Sequence, residues 1–191
     1  MTPVPDGAAI ATGTVTLDAA TPADATLLAN LIELYTHDLS AAFPDVPLGP
    51  DGPFGYPPLP RYWAEPDRRF AYLIRADWRT AGFVLATRGS PSAGLPAVDD
   101  LKVFDVAEFF VLRRFRRAGV GRRAAALLWR PQPGRRTVRV GAANPEALAF
   151  WERVVRDAAG GGPVAVTHPG DPHVRGRWHV LAFDAAAARG A

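Results

Sequence analysis

Two spacings of apolar residues run through this chain, and they sort most of it into strands and helices. Leu27, Leu31, Leu34 and Tyr35 recur at helical spacing behind Thr21-Pro22, which predicts a helix over 22–40 with Thr21 as N-cap and Pro22 at its first position. Val120, Ala124, Leu127 and Leu128 share one face of a second helix over 120–130, ended at Pro131 to Gly134. A third opens at Asn144-Pro145-Glu146, carries Leu148, Trp151, Val154 and Val155 on its apolar face, and is broken by Gly160 to Pro163. Apolar runs rich in β-branched and aromatic residues predict strands at 14–17, 69–76, 81–87, 105–112, 137–143, 164–167 and 178–183. Residues 44–60 hold seven prolines and three glycines, so the segment is expected as an irregular surface loop, long enough to be functional. A second loop is expected at 89–97. No linker or internal repeat interrupts the pattern, which describes one mixed α/β domain over 14–185 with tails at 1–13 and 186–191.

Composition adds exclusions. At 191 residues with 48% hydrophobic and 21% charged side chains, the chain can bury a sizeable core, which excludes a disordered or collagen-like protein. Cysteine is absent, so disulfides, thiolate metal sites and cysteine nucleophiles are excluded. The four histidines show no ligand spacing, so no metal site is expected, and the few serines form no nucleophile elbow. There is no apolar run long enough to span a membrane and no basic-then-apolar leader, so a cytoplasmic protein without membrane contact is expected.

The net charge of +3 conceals an asymmetry: residues 1–108 carry 14 acids and 7 bases, whereas residues 109–191 carry 5 acids and 15 arginines. A basic half suits an anionic partner, such as a phosphorylated cofactor or nucleic acid. The densest part is residues 107–130, where an apolar strand runs into an arginine-rich turn and Gly119 and Gly121 sit at the start of a helix. Glycine lets the backbone approach a ligand closely, and the unpaired amides and positive dipole of a helix start attract anions. Arg113, Arg114, Arg116, Arg117, Arg122 and Arg123 add charge around that point, so the turn is a candidate phosphate cradle. It is neither a P-loop nor a complete dinucleotide fingerprint.

Arg116-Arg117-Ala118-Gly119-Val120-Gly121, with Val111 five residues upstream, resembles the R/Q-x-x-G-x-G/A element of the GCN5-related N-acetyltransferase (GNAT) superfamily. Asn144, Ala147, Phe150 and Trp151 are similar to that superfamily's second helical element, in the right order about 25 residues downstream. The resemblance implies a central mixed, mostly antiparallel sheet flanked by helices, with acetyl-CoA as acyl donor. It also implies that the 116–121 turn and Arg122 hold the pyrophosphate, that Val111 and Asn144 meet the pantetheine arm, and that a backbone N–H of the fourth strand meets the oxyanion. Asn144 also suits a helix N-cap. Trp151 stands where the family commonly has a tyrosine acid. Indole has no useful acidity, so Trp151 either packs against the cofactor or fills the core. The departing thiolate would then be protonated by solvent or by one of Tyr35, Tyr56, Tyr62 and Tyr72.

Glu108, the only acid between Asp105 and Glu146, is the candidate general base, with Phe110 and Leu112 on its strand face. Its alternative role is an ion pair with one of the arginines. The resemblance puts the acceptor pocket against the first helices and their loop, near Tyr35, Asp38, Phe43, Tyr56, Tyr62 and Trp63. Acids and aromatics there suit a small-molecule or peptide amine. Transfer by direct attack of a neutral amine is expected, and a homodimer stays open. Two other readings are a non-catalytic acyl-CoA-binding module and, less favoured by the acidic first half, a nucleic-acid-binding domain.

Overall fold

A computed structural model describes residues 13–89, 103–131, 134–168 and 178–184. The tails at 1–12 and 186–191, most of the expected loop at 89–97, and His173 lie outside the described residues. Seven strands form one sheet: β1 (Val15–Ala19), β2 (Arg69–Ala76), β3 (Arg79–Arg88), β4 (Phe104–Val111), β5 (Arg135–Gly141), β6 (Val164–Thr167) and β7 (Trp178–Asp184). Their order is β1-β2-β3-β4-β5-β7-β6. Only β4 and β5 are parallel; every other pair is antiparallel. The mixed, mostly antiparallel sheet expected above is therefore present.

Helices cover both faces of the sheet. On one side α1 (Ala25–Ser40) and the single turn α2 (Arg61–Ala64) bury Leu28, Leu31, Ile32 and Tyr62 against Leu73, Phe83, Leu85 and Phe110. On the other, α3 (Val120–Trp129) and α4 (Pro145–Ala159) pack Val120, Leu128, Trp151 and Val155 against Ile74, Val84, Val138 and Leu181. Cover on both faces explains why β3 reads as a nearly continuous apolar run.

The helix expected over 22–40 begins as a 3-10 turn at Pro22–Asp24, where the Asp24 carboxylate accepts the Thr21 N–H at 2.9 Å. The helix at Asn144 starts as expected: its side-chain oxygen accepts the Ala147 N–H at 3.1 Å, with Pro145 in the first turn. One element differs. The turn α2 follows the proline-rich segment directly, and four residues are too few to display a helical period.

Two departures from regular geometry shape β4. Leu85 of β3 pairs with Glu108 and Ala86 with Val106, so Ala107 is an extra residue, a β-bulge. Phe104 and Val106 face α3 and α4 below the bulge, whereas above it Phe109 and Val111 do so and Phe110 turns toward α1. Further, β4 pairs with β5 only through Phe104–Arg136, Asp105–Thr137 and Val106–Val138. Beyond Val106 the two strands diverge, leaving the β5-facing edge of β4 without a ladder partner among the described residues up to Val111. No described helix is long and apolar enough to cross a membrane.

Candidate active site at the divergence of two strands

The β4 bulge turns Glu108 toward α1, where two phenols meet its carboxylate. Tyr35, from α1, donates its hydroxyl to Oε2 at 2.6 Å, and Tyr56, from the proline-rich segment, donates to Oε1 at 3.1 Å. Tyr35 is held in place by the rings of Phe83 and Phe110, each with its centroid 5.7 Å away. Tyr62, on α2, is buried on the same side, with the Arg69 guanidinium 5.5 Å from its ring centre.

Burial raises the proton affinity of Glu108, and the Tyr35 and Tyr56 hydrogen bonds and the Arg139 charge offset this only in part. The carboxyl therefore sits above the ordinary glutamate range, in the direction that suits a general base near neutral pH. Burial and the nearby Glu108 charge push the Tyr62 phenol up to about 12 and raise Tyr35 and Tyr56 as well. All three phenols thus stay protonated at neutral pH, and Tyr35 and Tyr56 act as donors to Glu108. The arginine ion pair considered for Glu108 falls instead to Asp105. Fully buried, Asp105 accepts from Thr137 Oγ1 at 2.6 Å and from Arg139 Nη2 at 2.9 Å.

Asp38, at the end of α1, contacts arginines of the turn rather than the tyrosine cluster. It binds Arg113 Nη2 at 2.7 Å and Arg116 Nη2 at 2.6 Å. Burial works against its charge, but the hydrogen bonds from the two arginines prevail and hold its carboxyl below the ordinary range. Arg116 also donates Nε–H to the Val111 carbonyl at 2.7 Å, tying the turn to the end of β4.

Past that tie, Arg117 (φ 62°) and Gly119 (φ 76°) take left-handed backbone conformations. The first intrahelical bond of α3 runs from Arg123 N–H to Gly119 O at 3.1 Å, so the amides of Val120, Gly121 and Arg122 precede the helical ladder. The structure thus brings together the helix start and arginines read from the sequence as an anion cradle. Gly121 sits inside a close contact, because a Cβ there would lie 3.2 Å from the Phe150 ring. Gly119 is open, so Gly119→Ala should cost only the left-handed penalty of about 1 kcal/mol. A fall of about 2–4 °C in thermal denaturation would show this.

Of the two roles weighed for Trp151, its position matches core filling. It is buried with its ring centre 5.0 Å from Phe109, 5.0 Å from Phe150 and 5.8 Å from Trp129. Asn144 spends its side-chain oxygen on the α4 cap. The arginines between 113 and 139 do not form one free basic face: Arg113 and Arg116 hold Asp38, Arg139 holds Asp105, and Arg136 is buried. No group of three or more potential metal ligands occurs among the described residues. A cavity of about 330 Å³ between β1 and α3, lined by Val15, Leu17, Tyr72 and Leu127, carries none of these groups.

Sequence reasoning missed Glu33, whose carboxylate accepts the N–H groups of Phe54 and Gly55, both at 2.7 Å. Its signal was faint: an acid two residues before Tyr35 on the same helix. Phe43, named from the sequence near the acceptor pocket, stacks on Trp178 at 5.6 Å and lies so close over Gly141 that a Cβ there would clash with its ring.

No family model matches this sequence, and no curated protein matches it. Solved structures do. An acetyltransferase from Thermus thermophilus superposes with a TM-score of 0.60 at 17% identity, over 91% of this chain and 98% of that one. An acetyltransferase of the GNAT family from Staphylococcus aureus gives 0.58 at 10% identity, over 90% and 99%. The fold is that of the GNAT acetyltransferases. A ribosomal-protein alanine N-acetyltransferase from Escherichia coli shares it, with a TM-score of 0.53 at 16% identity over 92% and 96% of the two chains.

Proposed function

We propose that this chain is an acetyl-CoA-dependent N-acetyltransferase for an amine-bearing small molecule or peptide. The observation that carries the reading is the divergence of β4 from β5 after Val106, with Glu108 on the diverging segment and the amides at the start of α3 beyond its end. An unpaired strand edge offers backbone partners to an extended amide-bearing arm, and a helix start suits a pyrophosphate. These residues fit acetyl-CoA as acyl donor. Val120, Gly121 and Arg122 would contribute amides to its pyrophosphate, with Arg117 and Arg122 supplying charge.

Glu108 would take a proton from the acceptor ammonium, directly or through one water. The neutral amine would then attack the thioester carbonyl within a ternary complex, forming the amide and releasing the thiol. Phe83 and Phe110 pack behind Tyr35 and fix the phenol beside Glu108. The proton for the departing thiolate would come from solvent: Trp151 is an indole, Tyr35 and Tyr56 are committed to Glu108, Tyr62 is buried, and Tyr72 lines the cavity between β1 and α3. That a protein of this fold from Escherichia coli is an alanine N-acetyltransferase supports an amine acceptor.

Thermal unfolding with and without saturating acetyl-CoA tests the first half of the reading. At about 100 times Kd a ligand of the native state adds about 2.7 kcal/mol. For a domain of this size that is an upward shift of about 5–10 °C. No shift at millimolar acetyl-CoA would overturn it. Thiol release across a panel of amines tests the second half, and binding without turnover would favour a non-catalytic acyl-CoA-binding module.

A further inference from the structure

Glu108 receives its two hydrogen bonds from opposite ends of one assembly. Tyr35 reaches it directly from α1. Tyr56 reaches it from the proline-rich segment, and that segment is fastened back to α1 by Glu33, through the N–H groups of Phe54 and Gly55 at 2.7 Å each. Both oxygens of Glu33 are used, one per amide, immediately before Tyr56 in the chain. Gly55 takes a left-handed φ of 70°, which turns the backbone between the fastening and the phenol.

We infer that Glu33 is a positioning residue for this site: by holding the Phe54 and Gly55 amides it sets the Tyr56 hydroxyl on Glu108, and so makes the proline-rich segment a working part of the catalytic centre. The inference rests on Glu108 being the base proposed above. Glu33 thus acts on one of the two donors, Tyr56, while Tyr35 is held by Phe83 and Phe110. The remaining groups that act on Glu108 are Tyr62 from α2, Arg139 from β5 and Asp105 from its own strand, and none of them touches Glu33. A donated phenol hydrogen bond favours the charged carboxylate, so losing one raises the proton affinity of Glu108.

The test follows the Glu108 carboxyl by carbon-13 NMR as the full-length protein is titrated, with Glu108→Gln assigning the signal. A hydrogen bond worth about 0.5–1.5 kcal/mol corresponds to a shift of roughly 0.4–1 pH unit. Glu33→Ala and Tyr56→Phe should each move the Glu108 midpoint upward by that order. The double variant should move it no further than Tyr56→Phe alone, since both changes remove one contact. Glu33→Gln, which keeps one acceptor oxygen, should restore part of the shift. The pH profile of acetyl transfer should move upward in parallel.

An unmoved midpoint in Glu33→Ala beside a moved one in Tyr56→Phe would overturn the inference. So would additive shifts in the double variant. Tyr56→Phe removes only a hydroxyl and is expected to fold, which keeps the question answerable should Glu33→Ala be unstable. The titration needs no turnover, so a wild-type protein that transfers no acetyl group would overturn the proposed activity while leaving this result readable.

Discussion

Glu108→Gln should lower kcat for acetyl transfer by about 10²- to 10⁴-fold, the range typical of a lost general base. Glutamine preserves the size of the side chain and can still accept from Tyr35 or Tyr56, so acetyl-CoA binding and the melting temperature should change little. The pH dependence identifies the cause. A base works in its deprotonated form, and burial places the Glu108 midpoint above the ordinary glutamate range. Activity in the wild type should therefore climb with pH through that raised midpoint, and the variant should lose that limb of the profile. The stability sign is consistent: a carboxyl with a raised folded pKa disfavours the native state as pH rises past its unfolded value, and glutamine removes that pH-dependent contribution. Steady-state kinetics across pH, with melting curves alongside, would decide it. Unchanged kcat would remove Glu108 from the chemistry.

Gly82→Ala should be among the most damaging single-methyl changes in this chain. Gly82 lies in β3 opposite Val111, and a Cβ built there would lie far inside contact distance of the Phe110 carbonyl oxygen, 2.9 Å from the Phe110 carbonyl carbon and 3.0 Å from the Val111 Cα. All three obstacles are backbone, so no rotamer change relieves the overlap and the two strands must part. A loss of roughly 3 kcal/mol or more is expected. That is a fall of about 6–12 °C in melting temperature for a domain of this size. Gly121→Ala is the control. Its new methyl meets the rim of the Phe150 ring at 3.2 Å, a side chain that can yield, so its loss should be smaller. Equal melting temperatures for the two variants would mean that β3 and β4 approach less closely than described.

Much of the architecture was legible because burial imposes periodicity. The run in β3 and the faces of α1, α3 and α4 announce themselves wherever a core repeats its demand for apolar side chains. The start of α4 was legible for a local reason, since Asn-Pro supplies a cap and a first turn within three residues. The turn into α3 was legible because the glycine and arginine pattern at 116–122 reports backbone conformation and charge together. The tyrosine clamp was harder. Tyr35, Tyr56 and Glu108 were each named as candidates, but nothing local to any of them records that their polar atoms meet. That meeting depends on a bulge in β4 and on where a proline-rich segment is fastened. Asp38 illustrates the same limit, because its two arginine partners lie 75 and 78 positions away. Trp151 was legible as apolar, whereas its place in an aromatic cluster with Phe109, Phe150 and Trp129 was not.

The bulge at Ala107 makes the aim of Glu108 a matter of counting. Below it, β4 sends Phe104 and Val106 into the core beneath α3 and α4; were Ala107 an ordinary ladder residue, the next member of that alternation would be Glu108 itself. A carboxylate would then be driven into a dry apolar layer, on the face of the sheet opposite both phenols. What points the acid at its donors is thus the bulge, more than the identity of the residue that makes it. Side-chain changes at position 107 that keep the bulge leave that aim intact, whereas drawing Ala107 into a regular ladder would exchange the polar and apolar roles of everything beyond it. Over evolutionary time such a strand can drift in sequence so long as its alternation resumes afresh at Glu108.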